Sequence, residues 1–100
     1  MYNIVYSELA RADLDEVYTY LNDKASSETA YTYVNELLDT IEKLAGFPDM
    51  GVQPRYPEIP GKVLIHGKYL IFYRMDEENR RIEVSRILHG ARDYINEIKN

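Results

Sequence analysis

The sequence predicts an α+β domain in the order β-α-α-β-β-β: a two-helix hairpin packed on one face of a small antiparallel sheet, followed by a short C-terminal helical tail. Three observations predict it. Two stretches of helical periodicity lie back to back between residues 8 and 45. Three strand-like runs joined by tight turns fill residues 62–88. One short strand-like run precedes the helices. At 100 residues the chain is expected to be a single domain, 1–100, and 45% apolar residues suffice for a small core.

Taken in order, "YNIVY" (Tyr2–Tyr6) is rich in aromatic and branched residues and reads as a short strand. Ser7 then suits an N-cap, its hydroxyl accepting an orphan amide of the first turn. Glu8 and Asp13 sit near the positive helix end. Ala10, Leu14, Val17, Tyr18 and Leu21 form one apolar stripe, and Asn22-Asp23 begins a break. A second helix starts at Ser26 or Ser27, with Ala30, Val34, Leu37, Leu38, Ile41, Leu44 and Ala45 as its stripe. Gly46 is expected as its left-handed C-terminal cap, with Pro48 as a stop. The short link between the helices implies an antiparallel pair.

All four prolines fall in Phe47–Gly61, a stiff connection longer than most, read as a crossover returning the chain to the sheet, with a functional loop as the alternative. Lys62–His66 and Tyr69–Met75 are strands separated by the hairpin signal Gly67-Lys68. "YLIFY" is apolar on both faces, as in a covered central strand. After the polar turn Asp76–Arg81, Ile82–Leu88 alternates, with Ile82 and Val84 facing one way and Glu83 and Ser85 the other. Tyr94, Ile95 and Ile98 can dock a short tail. Two helices on one sheet face leave the other face open, lined by tyrosines and polar groups, or covered by a partner.

The absence of cysteine excludes disulfides and zinc–thiolate sites. No metal-ligand spacing or phosphate-cradling glycine loop is present, so no cofactor is expected. No apolar run approaches membrane-spanning length and no leader precedes the domain, so the expectation is a cytoplasmic protein with no membrane contact. The net charge of −5 is uneven: residues 1–50 carry −7 and residues 51–100 carry +2. The overall field repels phosphate, and only the second half attracts it.

Four pieces, "YSELARADLDEVYTYL", "LAGFPDMG", "KYLIFYRMD" and "RILHGARDY", stand in an order that resembles the RelE/ParE superfamily of bacterial type II toxin–antitoxin toxins, nearer the ParE branch. The resemblance covers nearly the whole chain. It implies the toxin of a plasmid-stabilisation (addiction) module, with a cognate antitoxin as partner. It also implies a cellular target, which is DNA gyrase for ParE-like members and mRNA in the ribosomal A site for RelE-like ones.

The residues that carry chemistry cluster near the C-terminus. A ribonuclease needs a base, an acid and cations around the reacting phosphate. His89, Arg86, Arg92 and Tyr94 are the candidate catalytic residues if the chain is a nuclease, and Lys62, Lys68, Arg55 and Arg74 are candidate target contacts. Each has a structural alternative. Arg92 and Asp93 can pair locally, Tyr94 can anchor the tail, and His89 can be satisfied at a strand end. Arg86 shares the parity of Ile82 and Val84, so it should face the helices and need an acid partner there, unless a bulge shifts register. His66, before the hairpin glycine, is expected to be exposed and is given no role. The basic stripe is thin for a protein that enters a phosphate-walled site. The preferred reading is therefore inhibition of gyrase by protein contact. The alternatives are a ribosome-dependent mRNA endonuclease and a non-toxic binding remnant. Tyr20 and Tyr31, off the helix stripes, suit a groove for an antitoxin element.

Overall fold

The computed structural model describes residues 1–91 and residue 98. The elements follow the expected order: β1 (Asn3–Tyr6), α1 (Glu8–Lys24), α2 (Ser27–Glu42), β2 (Lys62–His66), β3 (Tyr69–Asp76) and β4 (Arg81–His89). Most of the C-terminal tail, with Arg92 and Tyr94, lies outside the described residues.

Both helices begin as their caps dictate. Ser7 Oγ accepts from the Ala10 amide and Ser26 Oγ from the Thr29 amide, each filling one orphan donor of the first turn. The end of α2 differs from expectation. Gly46 has φ −99°, not a left-handed value. The chain instead tightens into a 3-10 turn, Lys43–Ala45, and the Lys43 carbonyl accepts from the amides of Gly46 and Phe47. The last carbonyls are thus satisfied without a left-handed residue.

The sheet order is β1-β4-β3-β2. β2–β3 and β3–β4 are antiparallel, but β1 lies parallel to β4, so the sheet is mixed and not purely antiparallel. The two helices between β1 and the hairpin strands carry the chain across, which allows the parallel pairing. In the β2–β3 turn, Gly67 takes φ +57° while His66 pairs directly with Tyr69. A positive φ at the first central position of a two-residue loop is the glycine-requiring geometry of a type II′ hairpin.

Beneath the helices, Leu37, Ile41 and Leu44 meet Leu64, Ile71, Tyr73, Ile82, Val84 and Ile87, all buried. The opposite face is not open, contrary to expectation. Ile59 is buried there against Val63, Phe72 and Leu88, with Tyr56, Leu70 and Ile98 packed around them. The proline-rich crossover supplies this cover. It starts near Tyr73, whose hydroxyl donates to the Pro48 carbonyl (2.7 Å) and accepts from the Gly51 amide (2.9 Å). It then bridges the edge of β2 through paired Val52–Val63 hydrogen bonds of 2.9 Å. Because β3 is apolar on both faces, leaving this one wet would cost the burial of Phe72.

One irregularity governs everything at the C-terminal end of the sheet. Tyr73 pairs with Val84 but Phe72 pairs with Arg86, so Ser85 is an extra residue, a bulge. β1 stops at Val84, which leaves the outer edge of β4 bare beyond the bulge. The start of α1 seals that edge. The Ser7 amide donates to the Val84 carbonyl (3.0 Å), Ser7 Oγ to the Ser85 carbonyl (2.8 Å), and the Ile87 amide to Asp13 Oδ2 (2.8 Å).

Candidate functional site

The bulge decides where the candidate residues go. Counted without it, Tyr69 would oppose Leu88. With it, Tyr69 opposes His89 and Arg86 opposes Phe72. Since His66 also pairs with Tyr69, the three residues form a lateral row, His66–Tyr69–His89, across β2, β3 and β4. Directly paired residues share a sheet face, so the row points toward the helices with Ile71 and Ile87. Tyr33 of α2 leans over it, its ring centroid 5.6 Å from His66 and 6.0 Å from Tyr69. Tyr69 in turn meets His89 edge to face at 5.4 Å. Beside Tyr69 and His89 open two clefts, about 330 and 390 Å³, that share these two residues and Tyr20 of α1. Lys68 lines the second.

The imidazoles are held differently. His89 Nδ1 lies 3.1 Å from the Ala91 amide, which donates to it, so the ring proton of neutral His89 sits on Nε2. Thr40 Oγ1 donates its one hydrogen to the Glu36 carbonyl (3.0 Å), so its 3.0 Å contact with His66 Nδ1 requires the imidazole to donate. Neutral His66 therefore carries its proton on Nδ1 and offers a lone pair at Nε2.

The phenols are kept protonated. Burial, then the neighbouring Tyr33 and Tyr20, push the Tyr69 hydroxyl above the usual phenol range. Burial, then Glu36, raises Tyr33. Away from the site, Tyr6 is pushed up to about 12, first by burial and then by Glu42. Its hydroxyl is buried with no hydrogen-bond partner among the described residues. An unfolded tyrosine loses its proton near pH 10.0 while folded Tyr6 holds it to about 12. Its stabilising contribution is thus intact below pH 10.0 and is lost as the pH rises to about 12. Tyrosinate absorbance and loss of far-UV circular dichroism should appear together in that window. Tyr6→Phe should leave stability at neutral pH unchanged or higher, because it removes an unmatched buried hydroxyl, and should move the alkaline midpoint upward.

Of the sequence-derived candidates, the structure brings His89 and Lys68 to one cleft. Arg86 is committed elsewhere. Its Nε and Nη2 donate to Asp13 Oδ2 and Oδ1 at 2.9 and 3.0 Å, and both side chains are largely buried. The expected acid partner is present, but the expected parity is not. The bulge places Arg86 opposite Phe72, on the face away from the helices, and its long side chain reaches Asp13 on α1, the helix that seals this edge. Arg74 pairs with Glu83 at 2.7 Å. Arg55 lies exposed in the crossover, 5.8 Å from the centroid of Tyr56. Lys62 begins β2, four strand residues and roughly 13 Å from the hairpin end. The four target-contact candidates therefore do not form one patch.

Residues that sequence reasoning missed are His66, Tyr33, Tyr69 and Asp13. His66 is half-buried, not exposed. The two-residue turn was the available signal, since it forces His66 opposite Tyr69. Tyr20 and Tyr31 are exposed as expected, at 56% and 67%. Among the described residues no group of three or more His, Cys, Asp or Glu is placed to hold a metal ion, and no helix is long and apolar enough to cross a membrane.

Residues 4–94 match the profile of the family described as ParE toxin of type II toxin-antitoxin system, parDE. The chain is 35% identical over 85 residues to Toxin ParE1 of Caulobacter vibrioides, covering 85% of each protein. Its fold is similar to a chain of the chromosomal ParDE toxin–antitoxin system from P. aeruginosa, with TM-score 0.76, 19% identity, and 89% and 96% of the two chains covered. It is also similar to a chain of the RelBE2 toxin–antitoxin complex from Mycobacterium tuberculosis, with TM-score 0.67, 20% identity, and 88% and 96% covered. With the profile match spanning nearly the whole chain and a relative 35% identical across 85% of both proteins, this chain belongs to the ParE toxin family of type II toxin–antitoxin systems.

Proposed function

We propose that this chain is the toxin of a two-protein addiction module, neutralised by a cognate antitoxin, and that the free toxin inhibits DNA gyrase by protein contact. The antitoxin partner is supported by the similar solved chains, which come from a ParDE system and a RelBE2 toxin–antitoxin complex. The choice of a protein target over RNA rests on one observation. Arg86, one of the two guanidinium groups of the nuclease reading, is taken up in a bidentate, largely buried pair with Asp13. A guanidinium so bound has its donors aimed at a carboxylate and not at a reacting phosphate. With Arg74 neutralised by Glu83 and a net charge of −5, the counterion release that drives RNA affinity is small.

The test uses purified toxin in two assays. Supercoiling by gyrase should fall in proportion to added toxin, while mRNA on translating ribosomes stays intact. A-site cuts that disappear in His89→Ala would overturn this reading in favour of the endonuclease. Strong expression without antitoxin that leaves growth unaffected would overturn toxicity itself.

A further inference from the structure

We propose that a furrow running from α1 across the end of the sheet to α2 docks a segment of the antitoxin in which apolar side chains are flanked by lysine or arginine. This deepens the antitoxin reading and rests on it, and it is independent of the choice of cellular target. Three clefts adjoin in series. The first, about 330 Å³, lies between Val17 of α1 and Ile87 of β4, with Asp13 and Glu16 on its border. The second, about 390 Å³, shares Tyr20, Tyr69 and His89 with the first and adds Leu21. The third, about 290 Å³, shares Tyr33 with the second and is bordered by Glu28 and Glu36 of α2.

The middle of the furrow is built like the centre of a protein interface. Tyr20 stands 56% exposed where the first two clefts meet, and Tyr33 and Tyr69 are half-buried beside it. Tyrosine is enriched in interface cores and among the residues that carry most of the binding energy. The Tyr33 and Tyr69 hydroxyls, raised above the usual phenol range chiefly by burial, stay neutral, so this floor adds no charge of its own. Apolar side chains of a partner can therefore fill it.

The surrounding charges select the occupant. At the α1 end, Asp13 is answered by Arg86 and Glu16 has a partner of its own, so that end contributes little. The α2 end is different. This helix carries four exposed acids, Glu28, Glu36, Asp39 and Glu42, and no basic residue. Glu28 and Glu36 enter no ion pair among the described residues. Lys68 is the basic residue among those lining the three clefts. Residues 1–50 carry −7 in all, a field that repels phosphate and draws cations. A second copy of this chain, itself at −5, is disfavoured by like charge. A guanidinium or ammonium beside Tyr33 would meet two carboxylates and an aromatic ring together.

The experiment titrates the chain calorimetrically with the protein encoded by the adjoining reading frame, at about 0.1 M and about 1 M salt. Tyr20→Ala, an exposed position whose change leaves the core intact, should weaken binding at least about thirtyfold, the loss typical of an interface hot spot. Glu28→Gln/Glu36→Gln should weaken it about five- to tenfold at the lower salt and much less at the higher, where surface charges are screened. Glu77→Gln/Glu78→Gln makes the same change in net charge in the β3–β4 turn, at the other end of the sheet, and should bind as wild type. Failure of the wild-type chain to form a complex would overturn the antitoxin reading and this proposal with it. A complex formed equally well by the Tyr20 and Glu28/Glu36 variants would overturn the furrow alone and leave the antitoxin reading standing. Equal losses in the Glu77/Glu78 control would do the same, as would a toxin dimer that Tyr20→Ala dissociates.

Discussion

Asp13→Ala is expected to cost about 3–5 kcal/mol, as removal of one partner from a buried ion pair typically does. The size follows from the three hydrogen bonds that this carboxylate accepts, two from Arg86 and one from the Ile87 amide. The Asp13 side chain is 5% exposed and that of Arg86 14%, so water compensates little for either loss. For a chain of this length the melting temperature should fall by more than about 12 °C. Asp13→Asn, which keeps an acceptor for the Ile87 amide but no charge, should fall between wild type and alanine. The double variant Asp13→Ala/Arg86→Ala should lose less than the sum of the single losses, because the second change removes the charge stranded by the first. Melting within a few degrees of wild type for Asp13→Ala would show that the pair does not hold α1 to β4.

Gly61→Ala should be comparably damaging, for a backbone reason. Gly61 has φ +85°, which a side chain makes strained, and an added Cβ would overlap the carbonyl oxygen of Tyr73. The strained conformation costs of order 1–3 kcal/mol and the overlap about as much again, for a total of about 3–5 kcal/mol. Relief would require Gly61 to move away from β3, which would pull Lys62 from its pairing with Tyr73. Gly46→Ala is the matched control. Its φ is −99° and no atom stands within 4 Å of the added methyl, so stability should stay the same or rise by about 0.4–1 kcal/mol. Urea unfolding of the three proteins measures the contrast. A Gly61→Ala midpoint equal to that of Gly46→Ala would refute the steric argument.

Local chemistry made most of the fold legible. Ser7 and Ser26 announce their helices because a cap acts within three residues. Gly67-Lys68 announces the hairpin because turn type depends on two residues. What was not legible depends on longer-range pairing. Nothing about Ser85 marks it as a bulge, yet this one extra residue turns Arg86 to the other face and brings His89 level with Tyr69. The parallel alignment of β1 with β4 was equally hidden, since the partners stand 78 residues apart at Asn3 and Arg81. Asp13 illustrates a third limit. On a helical wheel it is one more acid near the start of α1, and its burial follows only once β4 presents a bare amide at Ile87. His89 was identified from its chemistry alone, but its companions His66, Tyr33 and Tyr69 come from three different elements that only the tertiary structure joins.

The β1–β4 pairing sets the order of events during translation. The first strand is made 78 residues ahead of the fourth, its only lateral neighbour in the sheet among the described residues. At ordinary elongation rates of about 5–20 residues per second, that gap lasts roughly 4–16 s. Through that interval the nascent polypeptide can form its helical hairpin but not a finished sheet, so maturation must await the closing segment and cannot run to completion vectorially from the N-terminus.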